Sequence, residues 1–408
     1  MNILHITERF RDGAVGGAQV SVDLLATTQA ANGHKVTVVS MSESPTDQKL
    51  LEGLRSIKLP LRQAYQSLRH ERLPLWKSLQ AHICDGYLYG SPRGFSEIIN
   101  QVKPDVVHSH VIAGFSSAIW RKARESGTAV VHTIRDYYIL CARSTCYKHG
   151  TQCGSICGEC KILRFKTALD TESVHAVVGI SQFILDVHTK RRIFRNTHIQ
   201  KVIPNSVNLT RGPKKSSAYR KPGVVFGFLG RIVELKGIWE LVRAFQERAS
   251  QDDRLFIAGE GGKSTLERLS SVSDARIQFL GYRDPARFFS DIDILVVPSL
   301  WEEPFGRTVA ESLRSGVPVL ASRRGGVPEI IAKPELGILF NPEETNSLGN
   351  GICSIKESFL AGRYDPIAIA KHGEIYSPER IYESYNEVYE SAVQGARFSC
   401  VAASSFVR

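Results

Sequence analysis

Short runs rich in β-branched residues alternate with longer amphipathic stretches along most of this chain, and the alternation starts over once. Strands are predicted at Ile3–Ile6, Lys35–Val39, Asp105–His108, Ala129–Ile134, Ala176–Ile180 and Lys201–Ile203. Helical spacing between them predicts helices at Ala18–Ala31, closed by Asn32-Gly33, and at Ile112–Arg124 and Gln182–Lys190. Polar, basic sequence from Asn205 to Pro222, with Lys214, Lys215, Ser216 and Ser217, reads as a linker. The pattern then restarts with strands at Val224–Leu229, Leu255–Ala258, Arg276–Leu280, Asp293–Val297 and Val317–Ala321, and a last helix covers Pro378–Ala392. Strand–helix alternation of this kind predicts α/β architecture with parallel sheets. Two Rossmann-like halves follow: residues 1–206, a linker at 207–222, residues 223–375, and a terminal helical segment at 376–395.

Composition narrows the class. The 408 residues suffice for two domains with their own cores, and 42% hydrophobic with 23% charged residues is the balance of a globular protein rather than a disordered one. No apolar run reaches membrane-spanning length. Met1–Arg11 reads as a short strand broken by Glu8 and Arg9, not as a signal peptide, so the expected location is the cytoplasm. The net charge of +11 suits anionic partners, and basic residues cluster at Arg55–Arg72, Lys161–Lys166 and Lys190–Arg195. The segment Arg62–Gln80 mixes Tyr65, Leu68, Leu73, Leu75 and Trp76 with its cations. That mixture predicts a peripheral contact with the inner face of a membrane, although Pro74 interrupts any long helix there. No recognised nucleic-acid motif is present, and nucleic acid is not an expected partner.

Ligands of open α/β sheets bind beyond the carboxyl ends of the strands, near helix N-termini that favour anions. By that rule Gly16-Gly17, between the first strand and its helix, permits close backbone approach to a ligand. His108 and His110 share a face at the end of their strand and are candidates for chemistry. In the second half, Gly230-Arg231 follows a strand and Lys236-Gly237 opens a helix, placing two cations where a diphosphate could sit. The most informative segment runs from Pro298 to Glu311. Glu303 and Glu311 offer acceptors for sugar hydroxyls, Phe305-Gly306 makes a turn, and the backbone N–H groups of Arg307 and Thr308 offer donors for phosphate. Five of the eight cysteines, Cys141, Cys146, Cys153, Cys157 and Cys160, lie within twenty residues. In a cytosolic chain such a cluster suggests metal more than disulfides, and Cys146, Cys153, Cys157 and Cys160 form a candidate structural zinc set.

These motifs resemble those of the family 4 glycosyltransferases (glycosyl transferases group 1). The resemblance rests on Gly230-Arg231 through Lys236-Gly237, Leu255–Gly261, Phe279-Leu280-Gly281 and Pro298–Glu311, with Ser315–Val319 and Gly325–Glu329. Gly16-Gly17-Ala18, Gly33–Val36 and Ile203-Pro204-Asn205 extend it over nearly the whole chain. It implies a GT-B fold, with two Rossmann-like domains facing across a cleft and a terminal helix returning to the first. It further implies a retaining hexosyl transfer from a nucleotide diphosphate sugar to a cell-envelope or lipid-linked saccharide, with no metal required. By the resemblance Arg231 and Lys236 hold the diphosphate, Glu303 contacts the donor sugar and Glu311 the ribose, while Gly17, Phe305, Gly306, Arg307 and Thr308 complete the donor site. The chain departs from the family at Arg135, where a histidine is usual; His110 could cover that catalytic role, or Arg135 could favour an acidic sugar. Asn205-Ser206 replaces the usual asparagine-glycine. Two rival readings are a sugar-nucleotide epimerase and a non-catalytic sugar-nucleotide or nucleic-acid binding protein.

Overall fold

Strands of valine and isoleucine that are buried along their whole length need cover on both faces, and a parallel sheet flanked by helices supplies it. The computed structural model has that arrangement twice. It describes residues 1–11, 16–61, 83, 90–148, 150–209, 223–272 and 274–405, with side chains described as far as residue 397. The chain divides into two compact units, Met1–Ser206 with Pro378–Arg408, and Val207–Ser377. Residues 210–222 of the expected linker and the basic-aromatic segment Arg62–Gln80 lie outside the described residues. No helix among the described residues is long and apolar enough to cross a membrane.

The first unit contains β1 (Asn2–Ile6), α1 (Gly17–Ala31), β2 (Lys35–Ser42), β3 (Thr46–Leu51), β4 (Leu54–Pro60), α2 (Phe95–Val102), β5 (Val106–Ser109), α3 (Ala118–Glu125) and β6 (Ala129–Ile134). A small antiparallel hairpin, β7 (Tyr147–Lys148) and β8 (Thr151–Gln152), precedes α4 (Gly158–Asp170), β9 (Ala176–Gly179), α5 (Gln182–Thr189) and β10 (Ile199–Val202). Its eight-stranded sheet runs β10-β9-β6-β5-β1-β2-β4-β3, parallel except for the β3–β4 hairpin at one edge. The terminal helix Pro378–Ser405 packs Ile381, Tyr385, Val388, Tyr389 and Ala392 into the core beneath the central strands. It extends well past the expected end at Ala392. The expected helix Ile112–Arg124 starts only at Ala118, because Gly114 (φ 81°) and Ser116 (φ 67°) hold left-handed turns before it. The edge hairpin was not expected; its outer strand is exposed and polar, and Arg55 of the supposed basic cluster pairs with Asp47 across it at 2.5 Å.

The second unit contains β11 (Val225–Leu229), α6 (Ile238–Arg248), β12 (Arg254–Ala258), α7 (Lys263–Ser270), β13 (Ile277–Gly281), α8 (Pro285–Asp291), β14 (Ile294–Val297) and α9 (Arg307–Arg314). It continues through β15 (Val319–Ser322), α10 (Val327–Ile330), β16 (Gly337–Phe340), α11 (Ser347–Leu360) and α12 (Pro366–Gly373). Its six strands are all parallel, in the order β13-β12-β11-β14-β15-β16. The last of them, a four-residue edge strand, was not expected from the sequence.

Candidate functional site

A parallel sheet built outward in both directions from its first strand leaves a crevice where the direction reverses, and the loops leaving the two strands beside it diverge. In the second unit that switch lies between β11 and β14. The loop after β11 carries Arg231 and Lys236; the loop after β14 carries Pro298 to Gly306 and leads into α9. The strongest sequence candidates therefore converge by topology.

Their side chains meet. Lys236 Nζ lies 2.5 Å from Glu303 Oε1, which also accepts the Ser299 hydroxyl at 2.6 Å, and the ammonium sits 5.6 Å from the centre of the Trp301 ring. Glu303 is buried, with 6% exposure. Burial pushes its carboxyl up, but the Lys236 charge and hydrogen bonds from Lys236, Ser299 and Trp301 outweigh that and hold it below the usual value. Glycine is required at two places around this pair. Gly237 (φ 69°) brings the Lys236 turn so near the β14 loop that a Cβ would lie 1.9 Å from Pro298 O. Gly325 (φ 57°) lies against Glu303, where a Cβ would come 2.0 Å from Glu303 O, and Gly326 N donates to that oxygen at 2.8 Å.

The helix that follows is arranged for anions. Gly306 caps α9 in the left-handed region, so the N–H groups of Arg307 and Thr308 fall in the first turn, where helix donors lack intrahelical partners. One turn on, Glu311 is 6% exposed and accepts from Arg307 Nε at 2.7 Å. Burial raises the Glu311 carboxyl above its usual value, and Arg307 opposes the rise. Arg307, expected to offer only its backbone, thus also orients the second carboxylate. Phe305 is buried against Tyr376, and Arg231 is exposed. Ser299 and Trp301 lay inside the quoted motif but carried no signal of their own.

The first unit has its own switch, between β1 and β5. Gly17 opens α1 after β1, and His108 and His110 follow from β5. The histidines do not face solvent. His5, His108 and His110 are buried, and they are the one group among the described residues whose three potential ligand atoms lie within 4.8 Å of one another.

Their protons can be assigned from Arg135, which has only hydrogens to give. Its Nε donates to His110 Nδ1 at 3.2 Å, so His110 carries its proton on Nε2 and donates to His5 Nδ1 at 2.9 Å. His5 Nε2 then donates to Gln29 Oε1 at 2.7 Å, and Gln29 Nε2 to the Tyr389 hydroxyl at 3.0 Å. Tyr389 donates to His108 Nδ1 at 2.7 Å, and His108 Nε2 to Thr133 Oγ1 at 2.7 Å, which meets the Tyr385 hydroxyl at 3.0 Å. Arg135 also donates to Asn205 Oδ1. Burial, then neighbouring positive charge, pushes His108 and His110 well below the usual imidazole value, and burial takes His5 to about 4. Every ring nitrogen of the three is engaged within the protein, and a divalent cation there would meet the Arg135 charge. His110, expected as a catalytic group, is an interior member of a neutral hydrogen-bonded chain. His5, Gln29, Tyr385 and Tyr389 were not singled out from sequence; their pairings span up to 360 positions along the chain, beyond the reach of local pattern.

The cysteine-rich loop brings its thiols together pairwise. Cys141 is hydrogen-bonded to Cys146, which lowers the Cys141 thiol to about 5, and the free thiols of Cys157 and Cys160 share a hydrogen bond, where burial dominates and raises the Cys160 thiol to about 12. Cys153 N donates to Cys146 O at 2.7 Å. Among the described residues no three thiols lie within 4.8 Å of one another, so Cys146, Cys153, Cys157 and Cys160 are not gathered as one tetrahedral set.

Comparison with known proteins gives a consistent result. The family model described as glycosyl transferases group 1 matches residues 223–358, and that for glycosyltransferase family 4 matches residues 15–211. An uncharacterized 42.6 kDa protein in the cps region of Klebsiella pneumoniae is 33% identical over 333 residues, covering 81% of this chain and 87% of that protein. A D-inositol 3-phosphate glycosyltransferase of Corynebacterium diphtheriae is 22% identical, covering 93% of this chain and 91% of its own. Among solved structures, sucrose-phosphate synthase from Thermosynechococcus elongatus superposes with a TM-score of 0.73 at 18% identity, covering 96% and 99% of the two chains. HepE of Anabaena, in complex with UDP and glucose, superposes with a TM-score of 0.65 at 18% identity, covering 96% and 100%.

Proposed function

This chain belongs to the group 1 glycosyl transferases and has their GT-B fold, and we propose that it moves a hexose from a nucleoside diphosphate donor to a saccharide or lipid-linked acceptor with retention of configuration. The supporting observation is the Lys236–Glu303 pair at the switch of the second unit, beside exposed Arg231 and the N-terminus of α9. Cleaving the bond between the anomeric carbon and the diphosphate oxygen leaves negative charge on the phosphate and oxocarbenium character on the sugar. Arg231, Lys236 and the first-turn N–H groups of Arg307 and Thr308 stabilise the first; the Glu303 carboxylate, kept ionised by Lys236, stabilises the second. Glu311 accepts from the ribose hydroxyls, Phe305 and Gly306 shape the turn, and Gly17 admits close backbone approach. None of these steps is routed through a metal. For the cysteine-rich loop the proposal is a structural zinc on Cys146, Cys153, Cys157 and Cys160, whose thiols the metal would draw together from their present pairwise arrangement. Metal analysis of the purified protein against a Cys157→Ser variant decides that point.

The donor reading is tested by thermal shift against UDP, GDP, ADP and their common sugar conjugates. A ligand that binds only the folded state raises its apparent stability. Stabilisation by one nucleotide, lost in Arg231→Ala, is the expected result and names the base. Well-folded protein that responds to none of them would remove the basis for this reading. A lipid-linked acceptor would bring the protein to a membrane's inner face as a peripheral contact, to which its net charge of +11 is suited.

A further inference from the structure

Large apolar side chains exposed on a helix carry information when they share a face. On α4, Ile162, Phe165 and Leu169 are 69%, 60% and 53% exposed, and their spacing of three and then four residues sets them on one stripe. No other helix among the described residues carries three such side chains. The rotation of α4 that turns the stripe outward is fixed from its other side. Cys160, Leu163, Arg164, Thr167 and Asp170 are buried, and Asp170 accepts the Ser117 hydroxyl of the neighbouring turn at 2.6 Å. The Arg164 guanidinium lies over the Tyr138 ring at 4.0 Å. The helix cannot turn its apolar side inward without breaking these contacts.

Charge says what the stripe is for. Lys161 and Lys166 border it on opposite edges, and Glu159, the acid on that face, is drawn to Lys148 at 3.8 Å. Aliphatic and aromatic side chains between lysines suit a surface that is apolar in depth and anionic at its face. A face for another protein subunit would more often replace lysine with other residues, since lysine is depleted at such interfaces.

We propose that the outer face of α4 docks on an anionic phospholipid surface, with Ile162, Phe165 and Leu169 entering the headgroup boundary and Lys161 and Lys166 meeting the headgroups. This deepens the membrane contact in the functional reading above by giving it a site, and it rests on that reading only for its purpose.

Co-sedimentation of the full chain with vesicles of phosphatidylglycerol and phosphatidylcholine, and with phosphatidylcholine alone, tests the assignment. Binding should favour the anionic vesicles. The triple variant Ile162→Ser, Phe165→Ser, Leu169→Ser should lose about tenfold or more of that binding, while Leu360→Ser, an exposed apolar site in the other unit, binds like the parent. Lys161→Gln with Lys166→Gln should weaken anionic binding on the order of tenfold and leave phosphatidylcholine binding unchanged. Parent protein that ignores both vesicles, or a triple variant that binds as well as the parent, overturns the proposal. So does sedimentation velocity showing a parent dimer that the triple variant splits, which would make the face a contact between copies of this chain. Nucleotide-induced stabilisation, read on the same variants, should stay at the parent value; its absence throughout would count against the donor site and leave the docking face standing.

Discussion

Each unit places loops at a switch point beside its first strand, and the two sets of side chains gathered there differ in kind. Around β11 and β14 the residues are ionic: Lys236 against Glu303, Arg307 against Glu311, Arg231 exposed. Around β1 and β5 they are three neutral imidazoles locked by Gln29, Thr133, Tyr385, Tyr389 and Arg135. The same topology therefore holds a site poised for charge in one unit and a closed polar core in the other. A switch point says where a sheet can present chemistry; burial and hydrogen-bond saturation decide whether it is presented.

Acid gives the largest expected separation. All the histidines except His372 lie in the first unit, and His5, His175 and His188 are held at about 4, and His132 at about 3, mainly by burial. Because the folded values lie below that of free imidazole, the unfolded chain takes up protons first. Stability should therefore fall as pH drops from about 6.5 towards 4, by about 1.4 kcal/mol per pH unit for each such histidine. Asp136, raised to about 6 by burial, opposes this as a single group. Hydrogen exchange followed by mass spectrometry at pH 7 and pH 5 should show the first unit loosening well before the second. Equal loosening would break the contrast.

Next comes Lys236→Ala. Turnover should fall about 10²–10³-fold, the range seen when one preorganised charge-stabilising group is removed. The variant also leaves the Glu303 carboxylate buried without its cation, which costs about 3 kcal/mol of stability. Product formation and the nucleotide-induced thermal shift check the first effect, and melting without ligand checks the second. Retention of full activity would remove the ionic switch from the catalytic account.

Tyr389→Phe probes the closed side. It strips one hydroxyl that accepts from Gln29 and donates to His108, leaving two buried groups short of a partner at a cost of about 1–3 kcal/mol. The terminal helix should show faster exchange while nucleotide still stabilises the second unit. Imidazole nitrogen spectra of the parent should report His5, His108 and His110 as Nε2–H tautomers, unchanged from pH 8 to pH 6. A titrating His110 would show that this core opens.

Sequence pattern reached the elements that repeat and missed those that depend on distance. The central strands were legible because uninterrupted β-branched runs such as Ala129–Ile134 have few alternatives, and Glu303, Glu311 and Lys236 were legible because a dense motif surrounds them. The polar edge strand Thr46–Leu51 carries no apolar alternation, and Ser116 gave no sign that it would stop a helix. The spacing of His110 to His108 marks it in the sequence, but its role is set by its partners Arg135 and His5, 25 and 105 positions away. Partners of that kind are chosen by tertiary packing. The apolar stripe of α4 was hidden for the opposite reason: Ile162, Phe165 and Leu169 look like a core face until the buried side of the helix is seen to be occupied already.

The smallest expected effect is the most specific test of the ionic switch. Arg307 and Glu311 sit one turn apart, with side chains 15% and 8% exposed, so their pair is screened less than a surface one. Burial favours the protonated Glu311 carboxyl and Arg307 opposes it, so Arg307→Ala should raise its pKa further. A protonated carboxyl gives up acceptor capacity that the ribose hydroxyls need. Nucleotide affinity should then fall several-fold, about 1 kcal/mol, and the loss should be larger at pH 6 than at pH 8. Arg307→Lys, which keeps the charge without the fixed fork, should recover part of it. If calorimetry finds the same affinity in Arg307→Ala at both values, the pair only staples the first turns of α9, and Glu311 is not the group that holds the ribose.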